Sequence, residues 1–191
     1  TGITTTQAAV VSSVGTKFKN NENIISFEEF KYFTNVTIIG NSTFEGCTKL
    51  TSIGDVSNVT SIGEVAFYNC TKLTSIGNLT NITSIGSSSF KGCSSLKSFD
   101  IGKIIKIPNS AFSGCTRLET IDLTNVTYID SEAFYNCSSL KNIGSLEKIT
   151  YIGSYSTFGN CSSLVIDLNL PNLEYFAGSF SGSGITNSVN L

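Results

Sequence analysis

Histidine, methionine and tryptophan are absent from this chain of 191 residues, and proline occurs only twice. Without histidine there is no Ser-His or Cys-His pair to activate a nucleophile, and the commonest metal ligand is missing. An enzyme is not expected, nor a cofactor. Charge is scarce as well: 14 % of residues are charged and the formal net charge is −2. That leaves no basic field for nucleic acid or an anionic membrane surface. Apolar runs such as Ile104-Ile105-Lys106-Ile107 break within a few residues, far short of the ~20 that span a bilayer, so no segment is expected to insert in a membrane. The chain opens at Thr1 without a signal-like pattern, which is read as a removed leader or a trimmed start.

What is present is a period. Phe44, Phe67, Phe90, Phe112, Phe134, Phe158 and Phe180 stand 22 to 24 residues apart. A cysteine follows each of the first six by three residues (Cys47, Cys70, Cys93, Cys115, Cys137, Cys161), and Ser183 takes that place in the seventh. Leu follows each cysteine by three, then Ile or Phe, a further aliphatic, and a second short element of the type "VTSIG" or "VTYID". Each unit carries about six apolar side chains that it cannot bury alone, whereas stacked units share one core.

The L-x-x-L-x-L cadence at this period predicts a leucine-rich-repeat solenoid. Its coils are right-handed, with short parallel strands and short helical turns, 22–24 residues each. Successive coils about 4.8 Å apart make the array roughly 30–35 Å long. The residue before each cysteine is always Gly or Asn, from Gly46 to Asn160, with Gly182 before Ser183. Both tolerate a left-handed backbone, so the Phe segment is expected to end there in a sharp reversal.

Residues 1–35 are expected to be a helical cap and 36–191 an array of six to seven coils. Thr4 with Gln7 reads as a capping box opening an amphipathic helix over residues 5–18, and Ser26 with Glu29 as a second, with Ile25 and Phe30 as its hydrophobic staple. Phe30 and Phe33 would then cover the open core of the first coil. The last unit, "GSFSGSGITNSVNL", stops partway, which suggests a fragment or module of a longer protein, monomeric as it stands.

Three groups of side chains offer chemistry. Cysteines 22–24 residues apart on a solenoid form a line rather than a tetrahedral cage, so no metal site is expected. At the spacing of parallel coils their Cβ atoms also stand too far apart for disulfides; they are read as a buried ladder of small hydrophobes. Asp100, Asp122 and Asp167, beside Lys97 and Glu119, form an acidic strip that could bind a cation or a basic partner, with an ordinary solvated face as the preferred explanation. In the second element the outward position runs Ser61, Ser84, Lys106, Tyr128, Tyr151, Tyr175. Tyr128, Tyr151 and Tyr175 are the candidate ligand-binding residues. Stabilisation of the sheet by cross-strand pairs is the competing explanation, and on that ground the stronger one.

The segments "IGEVAFYNCTKLTSIG", "IPNSAFSGCTRLETIDL" and "IGSSSFKGCSSLKSFDI" resemble the BspA-like leucine-rich repeats of bacterial surface proteins, over residues 36–191. The resemblance implies a non-enzymatic extracellular module at the bacterial cell surface, engaged in adhesion to host matrix proteins, cells or glycans. The alternative is a structural spacer in a larger surface protein.

Overall fold

The computed structural model describes residues 4–165, 169–176 and 180–183. The chain winds as a parallel solenoid of about six turns, with two strand sites per turn. The first site holds Ser26–Phe27, Ser52–Ile53, Ser75–Ile76, Ser98–Phe99 and Thr120–Ile121. The second holds Ile38–Ile39, Ser61–Ile62, Ser84–Ile85, Lys106–Ile107, Tyr128–Ile129, Tyr151–Ile152 and Tyr175–Phe176. Within each two-residue strand the first side chain faces out and the second in, the alternation that a pleated backbone imposes. Pairing is parallel, Tyr128 opposite Tyr151 and Tyr151 opposite Tyr175.

One column of rings forms the core. Phe18, Phe44, Phe67, Phe90, Phe112, Phe134, Phe158 and Phe180 stack with centroids 5.2–5.5 Å apart and planes within 5–9° of parallel. The leucine and isoleucine ladders pack around it, and Leu50, Leu73, Leu96, Leu118, Leu140 and Leu164 are fully buried.

The Phe segment differs from a simple helical turn. Cys47 N–H does return to Phe44 O at 3.1 Å, a single turn, yet alternate amides leave the coil altogether. Ser42, Phe44 and Gly46 donate to Glu64, Ala66 and Tyr68 of the next coil at 2.8–3.0 Å, and the pattern recurs at each step. Peptide groups are thereby joined head to tail in rows along the solenoid. Sending alternate amides outward requires two left-handed residues per coil. The Gly/Asn position after Phe is one, as the sequence predicts; the second lies two residues before Phe, at Ser42, Val65, Ser88, Ser110, Glu132 and Ser156.

At the amino-terminal end, the capping box of Thr4 and Gln7 is formed, but the helix covers only Thr5–Ala9 rather than 5–18. Val10 is 74 % exposed, and Gly15 and Asn20 are left-handed. The helical spacing of Val14 and Phe18 is used differently: an irregular chain brings both to the core, Phe18 stacking on Phe44 and Asn20 N–H donating to Glu45 O at 2.6 Å. Residues 18–27 thus occupy coil positions. The second box is not formed. Ser26 sits in a strand opposite Ser52, the 3₁₀ turn Glu28–Tyr32 has no side-chain cap, and Ile25 is exposed instead of closing a staple. Pairing with the neighbouring coil outcompetes a local cap. Phe30 and Phe33 are buried.

Candidate functional site

Parallel pairing in register converts a spacing of 23 and 24 residues into a column of tyrosines. Tyr128 and Tyr151 stack at 4.2 Å with planes 5° apart, and Tyr151 and Tyr175 at 4.9 Å and 9°. Lys106 Nζ lies 5.8 Å from the centre of the Tyr128 ring, a cation held against an aromatic face. Burial, then Asp130 and Tyr151, pushes the Tyr128 phenol up to about 12. Its outer member, Tyr175, is 46 % exposed.

A row of threonines runs beside the tyrosines. Thr60, Thr83, Thr127 and Thr150 each donate their hydroxyl to a carbonyl one coil earlier, at 3.0–3.3 Å. That row is broken twice, by Ile105 and Glu174, which flank Lys106 and Tyr175. Ile105 is 51 % exposed. These two residues belong to the same face and were not singled out from the sequence; the signal was available as a departure from the threonine pattern. Neither Lys106 nor Glu174 has an ion-pair partner among the described residues.

The acidic strip resolves into turn chemistry. Asp100 Oδ1 accepts Gly102 N–H, and Asp122 Oδ1 accepts both the N–H and the hydroxyl of Thr124. Those two bonds hold the Asp122 carboxyl below its ordinary value. Gly144, at φ +71°, packs on this turn so closely that a Cβ would stand 2.3 Å from Asp122 Oδ1. Both aspartates line an open groove of about 550 Å³ with Ser98, Phe99, Thr120 and Asn142. Asp167 lies outside the described residues, and the Lys141–Glu119 pair spans 3.7 Å beside the strip.

All six cysteines are buried and free. Each thiol donates to the Phe carbonyl of the preceding coil, from Cys47 to Phe18 O at 2.8 Å through Cys161 to Phe134 O at 3.1 Å. Burial raises every one of these thiols. Among the described residues no group of three His, Cys, Asp or Glu is placed to hold a metal ion, and no helix is long and apolar enough to cross a membrane.

Against known families, residues 16–125 and 102–190 match the BspA type leucine rich repeat region. The chain belongs to that family. Among solved structures it is similar to a leucine-rich repeat protein from Eubacterium ventriosum (27 % identity, TM-score 0.71, 82 % of this chain and 43 % of the other). A Leucine Rich Repeat protein of T. pallidum is also similar (28 %, 0.60, 72 % and 64 %). So is a leucine rich cell surface protein of Faecalibacterium prausnitzii (28 %, 0.55, 68 % and 41 %). The chain spans between about two fifths and two thirds of those structures. A search of curated proteins returned no match.

Proposed function

We propose that the chain is a non-enzymatic interaction module displayed on a bacterial cell surface, whose recognition face is the column Lys106, Tyr128, Tyr151 and Tyr175 with Ile105 and Glu174 beside it. The observation that carries this is the concentration of aromatic and aliphatic side chains at one end of a face whose other outward positions, Ile38 apart, are small hydroxyl residues. The similarity to a cell surface protein supports the location, and the absence of histidine supports the lack of catalysis.

Adhesion to a protein, such as a host matrix component, is favoured over a glycan. Sugars stack on open ring faces, and here both faces of Tyr128 and Tyr151 and one face of Tyr175 are covered by the next ring or by Lys106. Edges, hydroxyls and an aliphatic flank remain, the surface that protein interfaces use.

A spacer role is the second reading, favoured by the same stacking, because rings that satisfy one another also stabilise a sheet. Changing Tyr128, Tyr151 and Tyr175 together to Ser, as at positions 61 and 84, separates the two. Loss of binding to a matrix-protein panel with the fold retained is expected of a recognition face. A modest drop in melting temperature with binding untouched would leave the spacer.

A further inference from the structure

The recognition face is self-complementary, and we propose that it binds a second copy of this chain, antiparallel across a two-fold axis. This rests on the reading of the tyrosine column as the recognition face. The column has a cation at one end, Lys106, and a carboxylate at the other, Glu174 beside Tyr175, three coil steps or about 14 Å away. Both charges are unpaired within the described residues.

A two-fold axis lying in the interface and perpendicular to the column reverses one row against the other. Lys106 of each copy then meets Glu174 and the Tyr175 ring of the other, while Tyr128 of one faces Tyr151 of the other. The flanking row Ile105, Thr127, Thr150 and Glu174 is reversed onto itself in the same operation. The pair therefore makes two identical charge contacts around an aromatic centre, where a parallel alignment would oppose like charges.

So few side chains cover less than the ~800 Å² per partner of a stable interface. The contact is weak singly and acts between surfaces that carry many copies, where effective concentration multiplies it. The occupant is thus the same protein on a neighbouring surface, and the outcome is homotypic adhesion.

Beads coated with the purified chain test this directly. Wild-type beads are expected to cluster, and clustering to fall at least tenfold for Lys106→Glu and for Glu174→Lys, which place like charges opposite each other twice. Mixing the two variants restores both opposite-charge contacts, so mixed beads are expected to cluster where neither variant does alone. Unchanged melting curves confirm that both exposed substitutions leave the fold intact. Failure of wild-type beads to cluster, or clustering that ignores the charge reversals, overturns the proposal. If in that case the triple tyrosine variant still loses a matrix protein, the face takes a different partner and the recognition reading stands without self-association.

Discussion

The thiol of Cys70 donates to the carbonyl oxygen of Phe44, one coil earlier, at 3.0 Å. The same oxygen receives the backbone N–H of Cys47, so the bend after each Phe is tied both to its own coil and to the next. Cysteine suits this place for two reasons: it is small and apolar, and it carries a weak donor that reaches the neighbouring coil. Position and hydrogen bond together account for its regular recurrence.

Because the folded thiols hold their protons more tightly than unfolded ones, stability depends on pH in a defined direction. Burial raises Cys161 from 9.0 to about 12 and Cys93, Cys115 and Cys137 well above 9.0. Above pH 9 the unfolded chain releases protons that the folded chain keeps, so unfolding becomes easier. Urea midpoints are expected to be steady between pH 6 and 8 and to fall above pH 9, by on the order of 1 kcal/mol per thiol at pH 10. Alkylation of native protein should be slow at every cysteine and rapid in denaturant. A flat midpoint up to pH 10 would contradict the ladder.

Ser89 is fully buried and its hydroxyl has no hydrogen-bond partner among the described residues. The equivalent residues in three other coils are Ala66, Ala111 and Ala133. Leaving a buried hydroxyl unsatisfied costs about 1–3 kcal/mol, so Ser89→Ala is expected to raise stability by about 1 kcal/mol or more in chemical denaturation. A destabilised variant would reveal a partner for that hydroxyl.

Val65 adopts φ +48°, a left-handed conformation that is costly for a β-branched residue. Val65→Asn keeps the geometry with a residue that tolerates it. An increase of about 1 kcal/mol is expected, measured as a shift in denaturation midpoint against a Val65→Thr control, which stays β-branched and should gain nothing.

At the amino-terminal end, Phe18 and Val10 are expected to behave oppositely despite both matching helical spacing. Phe18 stacks on Phe44 at 5.2 Å, and its loss opens the end of the ring column, so Phe18→Ala should cost about 2–4 kcal/mol. Val10 is exposed, and Val10→Ala should change stability by less than about 0.5 kcal/mol. Equal effects in thermal melts would mean the two share one helix face after all.

Much of the candidate site was legible from spacing. Tyr128, Tyr151 and Tyr175 were placed in one column because equal register on parallel strands puts equivalent residues side by side. Their mutual distances, the cation on Tyr128 and the participation of Ile105 and Glu174 were not. Those depend on rotamers and on a neighbouring row that the periodic pattern masks. The aspartates mark the reverse case: Asp100 and Asp122 read as a strip of free charge, whereas each is engaged in a turn, since local Asx geometry follows from backbone torsions that composition does not report.

The periodic placement of Phe, Cys, Leu and Ile by itself determined that the chain coils, how many residues each coil takes and which side chains enter the core. Burial is a property of residue type, and its period survives any detail of the backbone. The tertiary structure alone decided where the backbone amides go. It turned the Phe segment from a plain helical turn into rows of peptides joined coil to coil, required a second left-handed residue at positions occupied by Ser, Val and Glu, and drew Ser26 from a helix cap into a strand. An amide's partner is set by the coil stacked against it, and that neighbour lies more than twenty residues away along the chain.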